Sequence, residues 1–446
     1  MFVVFTPERG PVSGFITGDG GISHRVEHRE CALAEAEHTS YIRVSRYPQC
    51  MYSVWTYPWS MYEPGLDQSL ETLADIGVGA VNLASHYHSI RALQPRFPDA
   101  LFAEYPAGCY FSPDSERFSG TPISPQQNDV AGVDDPVSEI VSRAGEYGID
   151  VHAWTVLSHN TRLGASHPTY RLQSAFGDAH DHAFCPSHPE VREYYASVVE
   201  ALDDRGVAEI QLESLCYGSA FHDHGVHYGH DKGQLDMSDT EARLLSQCFC
   251  EACRTEARER GVDIDTARER VRDVLEETLH GSTAEPPSLG DLVAEDSVLR
   301  DLFRFRGAVV TDLAEAMADR STDARLSGYV EAFGPDSRWP TGKRLTDLED
   351  ALDRLLALCY VSDPDEARDR IATLRRTVSC PIDAGITLDP SVVDRREQFD
   401  SLVSELAGDV EQVAIYNHGF MTETHLGWLR DAIDGESLRG PGSTPS

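Results

Sequence analysis

The chain has 446 residues, 41% of them hydrophobic, with 74 acidic against 38 basic side chains and a formal net charge of −36. That length accommodates a barrel with insertions, and that apolar fraction supports a large core, which excludes wholesale disorder. The charge excludes a nucleic-acid partner, because no basic stripe exists to release counterions.

Only Lys232 and Lys343 are lysines; every other basic residue is arginine. Acid throughout with almost no lysine reads as adaptation to a halophilic, salt-accumulating interior. At molar salt the Debye length falls to about 3 Å, so self-repulsion on such a surface is screened. No apolar run approaches the ~18 residues that span a bilayer. The start, Met1-Phe-Val-Val-Phe-Thr-Pro-Glu-Arg, has no ordered n-region, h-region and cleavage site. A cytoplasmic protein with no membrane partner is expected, and its ten cysteines suit that compartment if several hold metal.

In chain order, residues 1–48 lack periodic pattern and predict an irregular N-terminal extension. From there to residue 435 apolar strands alternate with amphipathic helices. The strands are Met51–Tyr57, Gly79–Ala84, Asp150–Leu157, Ala208–Glu213, Arg325–Glu331, Leu355–Val361, Ile382–Leu388 and Gln412–Tyr416. The helices are Leu66–Ile76, Pro136–Tyr147, Pro189–Arg205, Leu299–Arg320, Asp347–Leu356, Asp365–Val378, Ser391–Leu406 and Glu423–Ile433. Near-continuous apolar strands are buried on both faces, as in parallel sheets. Eight such units predict an α/β fold, a (β/α)8 TIM barrel over 49–435 with insertions after strands two (86–135) and four (217–298). The open doubly wound alternative lacks a glycine-rich fingerprint after its first strand. Residues 436–446 predict a disordered tail.

Barrel active sites lie at the C-terminal ends of strands. Carboxyls there are Glu213, Glu331 and Asp389, with Asp363 a weaker candidate. Two carboxyls flanking a bond suit glycoside hydrolysis. Trp55, Tyr57 and Trp59 at the end of strand one, and Tyr416, Asn417 and His418 after strand eight, could line a sugar pocket. Trp154 suits core packing. His86 and His88 follow strand two, His159 and Asn160 follow strand three, and His222, His224, His227 and His230 crowd the loop after strand four. These could bind sugar hydroxyls or hold a second metal.

The C-x-C-x2-C run of Cys248, Cys250 and Cys253 opens a charged helix and supplies three thiolates for tetrahedral zinc. Cys185 and Cys216 both lie on the right face to be the fourth. The order Cys185-Pro-Ser-His-Pro-Glu-Val-Arg-Glu-Tyr, Ile210-Gln-Leu-Glu-Ser, Cys248-Phe-Cys-Glu-Ala-Cys-Arg resembles glycoside hydrolase family 42, over about 75 residues. The resemblance implies a structural zinc with Cys185 as its fourth ligand, an acid/base glutamate ending strand four, and a small-molecule or oligosaccharide substrate.

This chain departs from that pattern. No Asn precedes Glu213, which falls one or two places early, and strand seven ends in Asp389 rather than glutamate. The expected reaction is hydrolysis of an O-glycosidic bond, with Glu213 as proton donor and Glu331 or Asp389 as nucleophile or base. One alternative is a carbohydrate-binding pseudoenzyme that lost the carboxyl pair. The other, a metal-dependent hydrolase using the histidines, fits poorly because the H-x-H pair is on strand two.

Overall fold

In the computed structural model eight apolar runs are buried on both faces and pair in parallel. They are β1 (Met51–Thr56), β2 (Ala80–Tyr87), β3 (Asp150–Val156), β4 (Glu209–Glu213), β5 (Arg325–Val330), β6 (Arg354–Leu358), β7 (Ile382–Thr387) and β8 (Gln412–Tyr416). Met51 lies level with Gln412, so β8 pairs back onto β1 and the sheet closes as the predicted (β/α)8 barrel. The structure describes residues 50–221, 235, 237–281, 286–334 and 337–439. The predicted extension, His222, His224, His227, His230 and the end of the predicted tail lie outside them. No helix among the described residues is long and apolar enough to cross a membrane.

Local chemistry starts two of the helices where they were expected. Asp135 accepts from Ser138 N at 3.0 Å ahead of Pro136, and Asp363 accepts from Asp365 N at 3.0 Å ahead of Pro364. The Asp363 carboxyl is therefore a helix cap. Two predicted helices are corrected: Ser391–Leu406 begins only at Arg396, and of Asp347–Leu356 only Asp347 and Leu348 are helical, at the end of the turn Leu345–Leu348. Leu352, Leu355 and Leu356 fit helical spacing, but Leu355 pairs with Gly328 on one side and Ile382 on the other, and the sheet wins. The last helix runs to Arg439, past Ile433 and into the predicted tail.

Loops after β2 and β4 carry the predicted excursions, a hairpin (Ile90–Leu93 with Phe102–Tyr105) and four helices between Asp239 and Glu295. A third excursion, unpredicted, follows β3: the helix Thr161–Ser166 and the hairpin Arg171–Gln173 with Ala179–Phe184. Its short strands carry His, Asp and Gln and lack the apolar signature of a barrel strand.

The barrel's lower interior is polar. Glu209 accepts from Ser327 Oγ at 2.7 Å, Arg354 pairs with Asp383 at 2.7 Å, and Gln211 Nε2 donates to Asn82 Oδ1 at 3.2 Å. Above this layer sit Trp55 and Trp154, edge to face at 6.4 Å. Gly385 makes room for the first: a Cβ there would lie 2.7 Å from Trp55 Cη2. Gly385→Ala is expected to lower the unfolding free energy by about 1–3 kcal/mol through overpacking, measured as a shifted midpoint at unchanged slope in guanidinium titration.

Candidate functional site

β4 points Glu209, Gln211 and Glu213 inward at alternate positions, which lifts Glu213 to the barrel's C-terminal rim. Ser214 follows at φ 57°, a left-handed residue that turns the chain sharply off the rim. Glu213 is partly buried. Its Oε2 accepts from Trp154 Nε1 at 2.5 Å, so the tryptophan packs the core and also holds the carboxyl. Burial pushes the Glu213 pKa up and the Glu331 charge adds to this, against the Trp154 hydrogen bond and Lys343; the result is about 7.

Glu331 follows β5. Register places Tyr329 level with Glu213 and Glu331 one inward position higher, about 8 Å away between Cα atoms from ~3.3 Å rise and ~4.8 Å strand spacing. Lys343 is buried and gives its ammonium to both Glu331 oxygens, at 2.7 and 2.9 Å, and to the Tyr329 carbonyl at 3.0 Å. Burial disfavours that ammonium, yet the carboxylate beside it keeps the Lys343 pKa above its usual value. Asp389 is placed differently. Its Oδ1 accepts from Ser391 N and Oγ at 2.8 and 2.6 Å, and these bonds hold its pKa down. Its charge reaches Tyr416, whereas the charges acting on Glu213 are those of Glu331 and Lys343.

Tyrosines surround Glu213. Tyr57 Oη lies 3.4 Å from Tyr87 Oη and 3.3 Å from Tyr416 Oη, and all three phenols feel the Glu213 charge, as do Tyr329 and Tyr360. Trp55 Nε1 donates to Tyr329 Oη at 2.6 Å. Trp59 stacks between Tyr57 at 4.5 Å and Tyr105 at 4.2 Å. Among these groups Glu213, Glu331, Tyr105 and Tyr416 reach solvent.

The other expected site residues have structural partners. His86 is buried between the Val156 carbonyl (2.7 Å) and Tyr194 Oη (3.0 Å), and burial pulls its pKa down to about 4. His88 stacks on His159 at 5.0 Å, and His159 meets His182 at 5.5 Å. Asn160 caps the helix Thr161–Ser166 through Leu163 N (2.9 Å), and Asn417 caps a turn through Gly419 N (2.9 Å). His418 is buried against Thr56 Oγ1 (3.2 Å) and Arg96 Nη2 (2.8 Å); desolvation and then the Arg96 charge pull its pKa well down. Lys343, Tyr87, Tyr329 and Tyr360 were not foreseen. The signal for Lys343 was rarity, as one of two lysines in the chain.

Beside this mouth, Cys185, Cys248, Cys250 and Cys253 are buried with all four Sγ atoms within 4.8 Å of one another. Cys216 is elsewhere, under the influence of Lys343. Cys185 Sγ lies 3.4 Å from Cys253 Sγ and 3.6 Å from Cys250 Sγ. Four thiolates around a tetrahedral ion with ~2.3 Å bonds would be about 3.8 Å apart, so the donors fit. Gln173 N donates to Cys248 Sγ at 3.3 Å, and Arg306 Nη1 donates to Cys253 Sγ at 3.0 Å. Arg306 is fully buried with no ion-paired carboxylate among the described residues; Tyr217 and Phe305 cover its guanidinium at 4.7 and 5.1 Å. A buried cation needs an anion, and here only ionised thiolates supply one. The cluster could hold a metal ion, and it ties the excursion after β3 to that after β4. Among the described residues no second cluster of metal-ligating side chains accompanies it.

No protein-family model matches the chain, and no curated protein is similar to it by sequence. Solved structures do match. The catalytic domain of a β-amylase from Paenibacillus polymyxa aligns at a TM-score of 0.53 and 11% identity, over 87% of this chain and 99% of that one. A β-galactosidase from the psychrophilic Marinomonas ef1 aligns at 0.54 and 12%, over 87% of this chain and 60% of that one. A polyextremophilic β-galactosidase from the Antarctic haloarchaeon Halorubrum lacusprofundi aligns at 0.53 and 15%, over 89% and 59%. The chain thus spans about three fifths of either galactosidase, and at these identities what it shares with all three is the barrel fold.

Proposed function

We propose that the protein hydrolyses O-glycosidic bonds, with Glu213 as general acid and Glu331 as the second carboxylate. The observation that carries this is the inequality of two carboxyls on neighbouring strands. One is desolvated beneath tyrosines and titrates near 7; the other is paired with an ammonium. Glu213 would give its proton to the glycosidic oxygen as the C–O bond breaks. Glu331 would supply the negative charge at the anomeric carbon, as nucleophile or as base toward water. Asp389 is the poorer candidate because two hydrogen bonds from Ser391 already engage its carboxylate. That the three solved structures named above are a β-amylase and two β-galactosidases supports the substrate class. We assign the cysteine cluster to structural zinc, held by Cys185, Cys248, Cys250 and Cys253, which would supply a cross-link and two positive charges and take no part in bond breaking.

A panel of aryl glycosides in molar potassium chloride tests the activity. Turnover that fails with Glu331→Gln supports the pair; binding of sugars without any turnover would establish the non-catalytic alternative. Lys343 acts as a positioning residue. In Lys343→Met the charge that favours a Glu213 carboxylate is gone, so the descending limb of the pH–rate profile is expected to move upward. KM should change less than kcat, and Lys343→Arg should restore part of the limb. An unmoved limb would leave Lys343 with a packing role.

A further inference from the structure

Seven of the eight strands are followed by at least one helix of seven residues or more, but among the described residues β5 is followed by only a three-residue turn, Trp339–Thr341, and the four-residue helix Leu345–Leu348. Where a full outer helix would lie there is a cleft of about 390 Å³, within the range of small-molecule sites. Its walls come from the helix Ser297–Ala318, the turn Trp339–Thr341, the helix Leu345–Leu348 and Thr377. Arg300, Arg304, Arg338, Arg344 and Lys343 line it with Trp339, and no carboxylate does so among the described residues. In a chain with 74 acids and 38 bases that reverses the overall balance.

Two of these guanidiniums have carboxylate partners: Arg304 with Asp301 at 3.5 Å and Arg344 with Asp347 at 2.8 Å. The other two bond main-chain carbonyls. Arg300 donates to Val293 and Ala294 at 3.2 and 2.5 Å, and Arg338 to Ala332 at 3.0 Å. The carboxylate whose charge acts on Arg338 is that of Glu331, which Lys343 already holds. The walls are firmly seated. Gly342, at φ 87°, rides on the long helix so closely that a Cβ would lie 2.8 Å from the Arg306 carbonyl oxygen. Trp339 packs edge-on against Phe303 at 4.9 Å, which braces its ring beside the guanidiniums.

We infer that this cleft binds a phosphorylated small molecule, a phosphomonoester whose ring packs on Trp339. Two guanidiniums without carboxylate partners match the charge of about −2 on a phosphomonoester near neutral pH, and guanidinium forks suit phosphate oxygens. The braced indole adds an apolar wall that inorganic phosphate alone would not use. Lys343 borders both this cleft and the candidate active site, but the inference does not depend on the glycosidase reading, because binding is measured directly.

Calorimetric titration in 1 M potassium chloride, where loose surface attraction is screened, tests it with inorganic phosphate, glucose 6-phosphate and AMP. At least one phosphomonoester is expected to bind with a Kd tenfold or more below that of inorganic phosphate. Arg300→Gln combined with Arg338→Gln should weaken it tenfold or more, while Arg368→Gln, on another helix, should not. If the double variant melts early, Trp339→Leu replaces it and should erase the preference for the ring while sparing inorganic phosphate. Three results would overturn the inference: no saturable phosphomonoester binding, equal affinity for inorganic phosphate, or an equal effect of Arg368→Gln.

Discussion

Glu213→Gln is expected to cut hydrolysis of glycosides with poor leaving groups by about 10²–10⁴, the usual contribution of a positioned general acid. Dinitrophenyl glycosides, whose leaving group needs no proton, should keep turnover within about tenfold of the wild type. The pH dependence has a definite sign. A general acid must be protonated, and burial puts the Glu213 pKa at about 7, so activity should fall as pH rises through that value. The glutamine variant should lose this descending limb. Trp154→Phe gives an independent check, because it deletes a hydrogen bond that favours the carboxylate. Its descending limb should move above 7. Steady-state kinetics on the leaving-group series decides the matter. Turnover of a poor-leaving-group substrate unchanged by Glu213→Gln removes the acid assignment, and a descending limb that survives in that variant belongs to another group.

Folded-state stability should follow the same group in a related direction. A carboxyl raised from its unfolded value of 4.5 to about 7 stays protonated in the fold while the unfolded chain ionises. Glu213 therefore contributes stability that is present below about pH 4.5 and is lost as pH rises toward 7.

How far the site could be read from sequence depends on which force set each residue. Barrel strands buried on both faces carry an uninterrupted apolar signature, so all eight were legible to within a few residues. The fifth helix was not. The leucines at 352, 355 and 356 suit a helix face and a buried strand alike, and only pairing with β5 and β7 decides between them. Glu213 and Glu331 were visible as charges ending apolar strands. What separates Glu331 from Asp389 was not, because it depends on Lys343, twelve residues on in a loop, and on the turn around Ser391. The histidine and asparagine candidates show the opposite failure. A polar residue after a strand can cap the next turn as readily as it can face a ligand, and Asn160 and Asn417 are caps. One signal was available and passed over. Leu299, Leu302, Phe303, Arg306, Val310 and Leu313 form one helical stripe, and an arginine inside an apolar stripe marks a buried partner.

That partner leads to the second large effect. The purified protein is expected to carry about one zinc per chain, and Cys253→Ser or exhaustive chelation should remove it. Without the ion, ionised thiolates would repel one another at 3.4–3.6 Å, whereas protonated thiols would leave the Arg306 charge buried with no anion. Stranding a buried charge costs about 3–5 kcal/mol, so the melting temperature should fall by several degrees or more. Arg306→Met separates the two causes. In the metal-loaded protein it removes a cation that offsets the −2 charge of a zinc tetrathiolate, and should destabilise. In the metal-free protein it removes the stranded charge, so the same substitution should cost less or even stabilise. Calorimetric melting of the four states, with metal content measured for each, gives the interaction energy between Arg306 and the ion. A value near zero would mean that Arg306 answers to its aromatic neighbours Tyr217 and Phe305 alone. A large one would show that the arginine at the centre of an apolar helix face is there because four cysteines hold a metal against it.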